Sequence, residues 1–176
     1  MSALDSILRA IATAIGQVLR RSTTSRKKRT PSGRSPSLQR AYPGDYRGTP
    51  RLTYAPHPGS LPDPGEIAWT WVPYEEDHGQ GKDRPVLLIG RDGDWLLGLP
   101  LTSQDHDVDA RQEAAAGRRW VDIGRGPWDP KGRPSEARVD RIIRVDPRAV
   151  RRVAGALDKQ RFDTVAAAVR RHARER

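Results

Sequence analysis

The sequence predicts a mainly β protein: a small curled antiparallel sheet or barrel, followed by a packing helix at the C-terminus. Five short apolar runs with strand-like patterns lie between residues 66 and 145. Turn residues separate several of them at hairpin distance. Strands do not alternate with helical patterns anywhere, which argues against a parallel nucleotide-binding sheet.

The first 21 residues are predicted to form an amphipathic helix. Ser2 and Asp5 suit its start, because a side-chain oxygen can cap free N–H groups and an acid stabilises the positive helix end. The helix could dock on the folded domain or a partner, lie in a membrane surface, or fray, and its pattern leaves these three alternatives open. Its apolar stripe comprises Leu4, Ile7, Leu8, Ile11, Ile15, Val18 and Leu19.

Residues 22–63 are predicted to be a disordered, basic linker rich in proline and serine. Eight of the 15 prolines lie between residues 31 and 64, among few large apolar side chains. Burial in such a stretch cannot offset the entropy lost on ordering the backbone. The predicted organisation is therefore a helix over 1–21, a linker over 22–63 and a folded domain over 64–176.

The strand predictions follow from local patterns. Ile67, Trp69 and Trp71 alternate on one face of the first run, which Pro73 ends. The turn around Asp92-Gly93 lets the third run pair back on the second. The five candidate strands are residues 66–72, 85–89, 95–101, 118–123 and 137–145.

The end of the folded domain is predicted to be helical. Asp146-Pro147 is typical of a helix start, and Gly155 is placed to end that short helix. Asp158 is placed to cap a second helix. Its apolar stripe comprises Phe162, Val165, Ala166, Val169 and Ala173.

Composition excludes several classes of protein. The 176 residues include no cysteine, which excludes disulfides, a thiolate nucleophile and Cys-ligated zinc, and suits a reducing compartment; we expect the cytoplasm. No apolar run reaches the ~18 residues that span a membrane. The net charge of +10 favours a polyanionic partner, yet residues 1–64 carry +8 of it and residues 65–176 only +2.

Signals of known catalytic sites are mostly absent. The sequence has no Gly-rich phosphate loop, no HExxH and no Gly-x-Ser-x-Gly. Asp105, His106, Asp107 and Asp109 form the one cluster that looks like a metal site, but their spacing matches neither a zinc nor a calcium pattern. We interpret this cluster as a solvated loop.

Polar side chains meet the ends of two predicted strands. Arg84 precedes the second strand, and Thr102 and Ser103 follow the third. If these strands pair antiparallel, all three side chains lie at the same end of the sheet. A guanidinium beside hydroxyls is a phosphate-binding set. The alternative is structural: Arg84 pairs with Asp83 or another carboxylate, and the threonine only ends a strand.

The order and spacing of four segments resemble the PemK/MazF family of toxins. These segments are residues 64–71, 80–89, 100–103 and 137–157, and the resemblance covers residues 64–172. It implies an SH3-like β-barrel with a C-terminal helix, usually a homodimer. It also implies an endoribonuclease that needs no metal or cofactor, cleaves single-stranded RNA or mRNA, and is inhibited by a cognate antitoxin.

The resemblance places the family's catalytic arginine on Arg84 and its active-site threonine on Thr102. The RNA's own 2′-OH is then the nucleophile, and the products are a 2′,3′-cyclic phosphate and a 5′-OH. The predicted substrate-binding residues are Gln80, Lys82, Ser103, Trp128 and Ser135.

The first loop departs from the family pattern. Gly79 stands before Gln80 where the family often has a glutamate, so the resemblance does not carry over RNA sequence specificity. His78 in this loop is a candidate acid or base by residue type, and the alternative is a solvent-exposed histidine.

The sequence leaves two other functions open. A barrel of this kind can be a non-catalytic module, since a related toxin poisons DNA gyrase by binding, and other SH3-like barrels bind DNA, RNA or protein. The second open function is that of a membrane-tethered member of the family, held at a membrane surface by residues 1–21.

Overall fold

In the computed structural model, which describes residues 40–59, 61–103 and 117–176, the chain folds as an antiparallel sheet with one C-terminal helix. The strands are β1 (Glu66–Pro73), β2 (Gly81–Asp92), β3 (Trp95–Thr102), β4 (Trp120–Gly124), β5 (Ser135–Arg138), β6 (Ile143–Val145) and β7 (Arg152–Ala156). Their order across the sheet is β4-β5-β3-β2-β1-β7, and β6 pairs with β3. Helix α1 is Lys159–Arg174.

Alternation along the strands divides their side chains between two apolar clusters. Leu87, Leu99 and Leu101 point into the larger cluster, where they pack with Phe162 and other residues of α1. Val86 and its alternate neighbours point to the other face, which holds a smaller cluster. Burial of the larger cluster, at about 25 cal/mol per Å² of apolar surface, fixes which face each strand turns inward.

The five predicted strands are confirmed, with one subdivision. The last candidate, residues 137–145, is interrupted by a turn at Asp140 and Arg141 and divides between β5 and β6. Within β1 the alternation is present, but Ala68, Thr70 and Val72 are its more buried set, whereas Trp69 and Trp71 are half-buried.

One of the two predicted C-terminal helices is confirmed, and the other is wrong beyond its first turn, because β7 begins within its predicted span. The Asp158 carboxylate accepts a hydrogen bond from Arg161 N at 2.9 Å and caps α1. Asp146 caps only one 3₁₀ turn, Pro147–Ala149. Gly155 does not end this turn, because it lies in β7 opposite Ile67 with φ +142°, a backbone conformation that favours glycine.

Residues 40–63 contradict the predicted linker. We call residues 40–59 the strap, because they lie along the sheet and pair with it in two places. Tyr46 N donates to Ile142 O at 2.8 Å, and Thr53 N donates to Ile89 O at 2.9 Å. The Tyr54 ring packs on Phe162, 5.0 Å between ring centroids, and joins the larger apolar cluster. Burial of aromatic rings offsets the entropy that the proline-rich backbone loses when it becomes ordered.

A buried ion pair holds the middle of the strap. Arg141, whose side chain is 8% exposed, donates from Nε to Asp45 Oδ2 at 2.7 Å and from Nη2 to Oδ1 at 3.2 Å. Tyr42 donates its hydroxyl to the same carboxylate. Burial acts to raise the pKa of Asp45, but the hydrogen bonds from Arg141 and Tyr42 outweigh it and hold the pKa below its usual range.

The predicted helix over 1–21 and residues 22–39 of the predicted linker lie outside the described residues. No helix in the described part of the chain is long and apolar enough to cross a membrane.

We expect Asp45→Asn to lower the free energy of unfolding by about 2–3 kcal/mol at pH 7, because it leaves a buried guanidinium without its charge partner. The depressed pKa of Asp45 means that its contribution is complete above the ordinary value of 3.8 and is lost as the pH falls through the folded-state value. The difference between the variant and the wild type should therefore shrink below pH 4. Urea unfolding of the variant and the wild type at pH 7 and below pH 4 measures this difference.

Asp94→Asn is the matched control, because Asp94 pairs with Arg40 at 2.9 Å on the exposed surface. It should cost less than about 1 kcal/mol. Equal losses for the two variants would show that the strap is not held by this ion pair.

Candidate functional site

Five neighbouring strands each place one polar residue at the same level of the sheet. Thr70 on β1 is opposite Arg84 on β2. Thr102 on β3 is opposite Glu136 on β5, which is also opposite Asp122 on β4. We call these five residues the polar row. Because paired residues point to the same face, the row lies on the face turned away from the α1 core.

The register of β2 and β3 brings Arg84 beside Thr102. Val86 is opposite Pro100 in this antiparallel pair. Two residues earlier on β2 and two residues later on β3 are Arg84 and Thr102, and continuing the register by these two residues places them opposite each other on one face. Both side chains are half-buried. The extended register agrees with the prediction that Arg84 and Thr102 lie at the same end of the sheet, and their role in a site stays a prediction.

The row carries opposite charges on the two sides of Thr102. Arg84 lies on one neighbouring strand and Glu136 on the other, so their Cα atoms are separated by two strand spacings, roughly 10 Å. Both side chains are long enough to lean over Thr102. Asp122, one strand further out, accepts a hydrogen bond from Gly124 N at 2.7 Å and so fixes the bulge in β4.

Arg138 occupies the next row on the same face and holds the loop over residues 74–80. Its Nη2 and Nε contact Asp140 Oδ2 at 2.8 Å and 3.0 Å, and its Nη1 contacts Glu75 Oε2 at 2.9 Å. Burial acts to lower the pKa of Arg138, but hydrogen bonds and charge from Asp140 and Glu75 outweigh this and raise it. The guanidinium is therefore a permanent cation that ties the β1–β2 loop to β5.

Hydrogen bonds within the β1–β2 loop also stabilise it, and one of them is made by Gln80, which we predicted to bind substrate. Gln80 donates from Nε2 to Asp77 Oδ2 at 2.7 Å, and Gly79 N donates to Asp77 Oδ1 at 2.9 Å. These two hydrogen bonds lower the pKa of Asp77. In this conformation the Gln80 amide shapes the loop.

His78, the candidate acid or base, faces the strap. Its ring meets Tyr42 edge-on, 5.0 Å between centroids, and its Nε2 lies 4.0 Å from Asp45 Oδ1. The side chain is exposed, at 40% of its surface. The histidine thus connects the loop to the strap and is not brought into the polar row.

The prediction that Trp128 meets RNA is wrong, because its side chain is 3% exposed and belongs to the α1 core. Gly126 makes room for the ring: a Cβ there would lie 2.1 Å from it. Ser135 is also buried, at 2% exposure, so its position is structural. Ser103 is half-buried beside Thr102, and Lys82 is exposed at the start of β2, 5.8 Å from the Tyr74 ring centroid.

Sequence reasoning missed Glu136, Arg138 and the strap. Alternation through residues 135–138 was the available signal, since Ser135 and Ala137 are buried while Glu136 and Arg138 share the other face. Within the described residues, no group of three His, Cys, Asp or Glu side chains could hold a metal ion. The cluster around Asp105 and His106 lies outside those residues.

The chain matches the model of one protein family. The model of a family described as PemK-like, MazF-like toxin of type II toxin-antitoxin system matches residues 63–173. A search of curated proteins finds no match.

Solved structures similar to the chain include two toxins. The Mycobacterium tuberculosis toxin MazF-mt6 is 18% identical with a TM-score of 0.41, over 62% of this chain and 96% of that one. MazF from Deinococcus radiodurans is 16% identical with a TM-score of 0.44, over 63% and 94%. The family assignment depends on the family model, which covers more than half of the chain.

We expect Glu75→Gln to free the β1–β2 loop from Arg138 and so to speed amide hydrogen exchange in residues 74–80. The free energy of unfolding should fall by less than about 1 kcal/mol, because Glu75 is exposed. Exchange detected by mass spectrometry measures the change. Glu76→Gln is the matched control at an exposed neighbour, and similar exchange in both variants would show that the Glu75 contact does not hold the loop.

Proposed function

Since the chain belongs to the PemK-like, MazF-like family of type II toxin-antitoxin toxins, we propose that it is an endoribonuclease toxin that cleaves single-stranded RNA or mRNA. The observation that carries the proposal is the register that sets Arg84 beside Thr102 on a half-buried strand end. A guanidinium and a hydroxyl at this spacing can hold one phosphodiester between them.

The proposed reaction uses the 2′-OH of the RNA as its nucleophile. Attack on the adjacent phosphorus forms the O2′–P bond, breaks the P–O5′ bond, and leaves a 2′,3′-cyclic phosphate and a 5′-OH end. Neither a protein nucleophile nor a metal is needed. Negative charge grows on the phosphoryl oxygens in the transition state, where fixed donors in a partly dry site are most effective.

Arg84 and Thr102 have separate parts in this reaction. Arg84 keeps its charge at every physiological pH and offers a planar fork of N–H donors, which suits two phosphoryl oxygens at once. The Thr102 hydroxyl donates to one of these oxygens and sets the position of the phosphate along β3. Lys82 and Ser103 lie near enough in sequence to contact the flanking nucleotides.

The family also guides the proposed partners. We propose a cognate antitoxin protein as the inhibitor, a homodimer as the active form, and the cytoplasm, where mRNA is found, as the location. Residues 1–39 carry eight basic side chains and one acidic side chain, and we propose that they are an arm that adds affinity for RNA. The folded domain then begins at residue 40.

Arg84→Ala should lower kcat/KM for RNA cleavage by about 10²- to 10³-fold, because it removes the main charge that stabilises the transition state. Wild type and variant are incubated with a long RNA in EDTA, and the new 5′-OH ends are mapped. Arg91→Ala is the matched control, since Arg91 is an exposed arginine at the other end of the same strand. If Arg84→Ala and Arg91→Ala cut equally well, or the wild type yields no 5′-OH ends, the proposal is wrong.

Removal of residues 1–39 should leave the single-turnover cleavage rate at saturating protein unchanged and weaken RNA affinity at low salt. The slope of log K against log [salt] should also become shallower, because fewer phosphate contacts release counterions. Filter binding from 50 to 300 mM salt measures the slope. An unchanged slope, or a lost cleavage rate in a folded product, would contradict this division between arm and domain.

A further inference from the structure

The proposed reaction needs a group to take the proton from the 2′-OH, and neither Arg84 nor Thr102 can do so. A guanidinium is already protonated at neutral pH, and a neutral hydroxyl is too weak a base to take this proton. A carboxylate or a neutral imidazole is the ordinary choice. This inference depends on the proposed endoribonuclease function and assigns the missing part of it.

Among the described residues, the polar row offers two carboxylates, Glu136 and Asp122. Asp122 is held by the backbone N–H of Gly124 and lies one strand further from the phosphate position. Glu136 is the direct cross-strand neighbour of Thr102. Cβ atoms of such a pair are about 4.5–5.5 Å apart, which is within reach of a glutamate carboxylate on a hydroxyl-bound ligand.

His78, the other candidate base, faces away from the reaction. Its contacts are with Tyr42 and Asp45 of the strap. The charged residues around Glu136 in its own and the neighbouring rows of the described sheet are Lys82, Arg84, Asp122 and Arg138.

From these positions we propose that Glu136 is the general base of the reaction. A phosphate held by Arg84 and Thr102 has the arginine on one side and Glu136 on the other. The Glu136 carboxylate takes the 2′-OH proton as O2′ bonds to phosphorus. The P–O5′ bond then breaks, O5′ takes a proton from water, and Glu136 returns its proton to the solvent, so atoms and charges balance.

The test measures single-turnover cleavage in EDTA for the wild type, Glu136→Gln and Glu136→Ala, with folding checked by circular dichroism. Loss of the base should lower the rate by about 10²- to 10⁴-fold, with the RNA dissociation constant changed less than about threefold. Glu175→Gln, at an exposed glutamate after α1, is the matched control and should match the wild type.

Two further measurements separate a base from a structural role. Formate should restore cleavage by Glu136→Ala in proportion to its concentration and should not restore Arg84→Ala. An RNA with sulfur in place of the bridging O5′ has a leaving group that needs no proton, and it should remain a poor substrate of Glu136→Gln.

Each outcome decides a specific point. A wild type that cleaves while Glu136→Gln keeps its rate within about threefold overturns the inference and leaves the proposed function standing. Rescue of Glu136→Gln by the sulfur-containing RNA would make Glu136 the general acid instead and overturn the assignment. A slow Glu136→Ala that formate does not restore shows a structural role. A wild type that produces no 5′-OH ends removes the proposed function and this inference together.

Discussion

The antiparallel register of β2 with both of its neighbours is the constraint on which the rest of the structure depends. A one-residue slip would turn Leu87 out of the α1 core and Arg84 into it. The contact with β3 is also close, since a Cβ at Gly98 would lie 2.3 Å from Val86 Cγ1. Apolar burial thus fixes the register, and the register in turn places a charged residue and a hydroxyl beside each other at the open end of the sheet. Core packing and the proposed chemistry share one cause.

Three arginines in the segment from β5 to β6 hold the β1–β2 loop and the strap in place. Arg138 binds the β1–β2 loop through Glu75, and Arg141 binds the strap through the Asp45 carboxylate. Arg144 donates to the carbonyls of Gly44 and Asp45 at 2.9 Å and 3.1 Å. His78 joins the loop to the strap between them. The strap lies wholly outside residues 63–173, the part of the chain that matches the family.

The sequence predicted the local parts of this arrangement and missed the parts that depend on distant contacts. Alternation and the Asp92-Gly93 turn were enough for β2 and β3, and hence for the Arg84–Thr102 juxtaposition. The strap was misread because proline and charge dominate its composition, whereas Tyr46 pairs with Ile142 and Tyr54 packs on Phe162, both about a hundred residues later. Trp128 was misread for the same reason: a Gly/Pro loop predicts exposure, but this one turns inward over the core. Glu136 needed the β3–β5 pairing, which no local pattern specifies.

The net charge of +10 is unevenly distributed along the chain, because residues 1–39 carry eight basic side chains and only one acidic side chain. Arg138 and Arg141 are bound to carboxylates, so neither guanidinium is available to grip a polyanion without breaking a structural contact. Of the cations in the polar row and beside it, this leaves Arg84 and Lys82 for a substrate, too few to give strong binding at physiological salt. A chain built in this way would separate the two tasks, with chemistry set by a few fixed groups on the sheet and affinity supplied by the basic residues that precede residue 40.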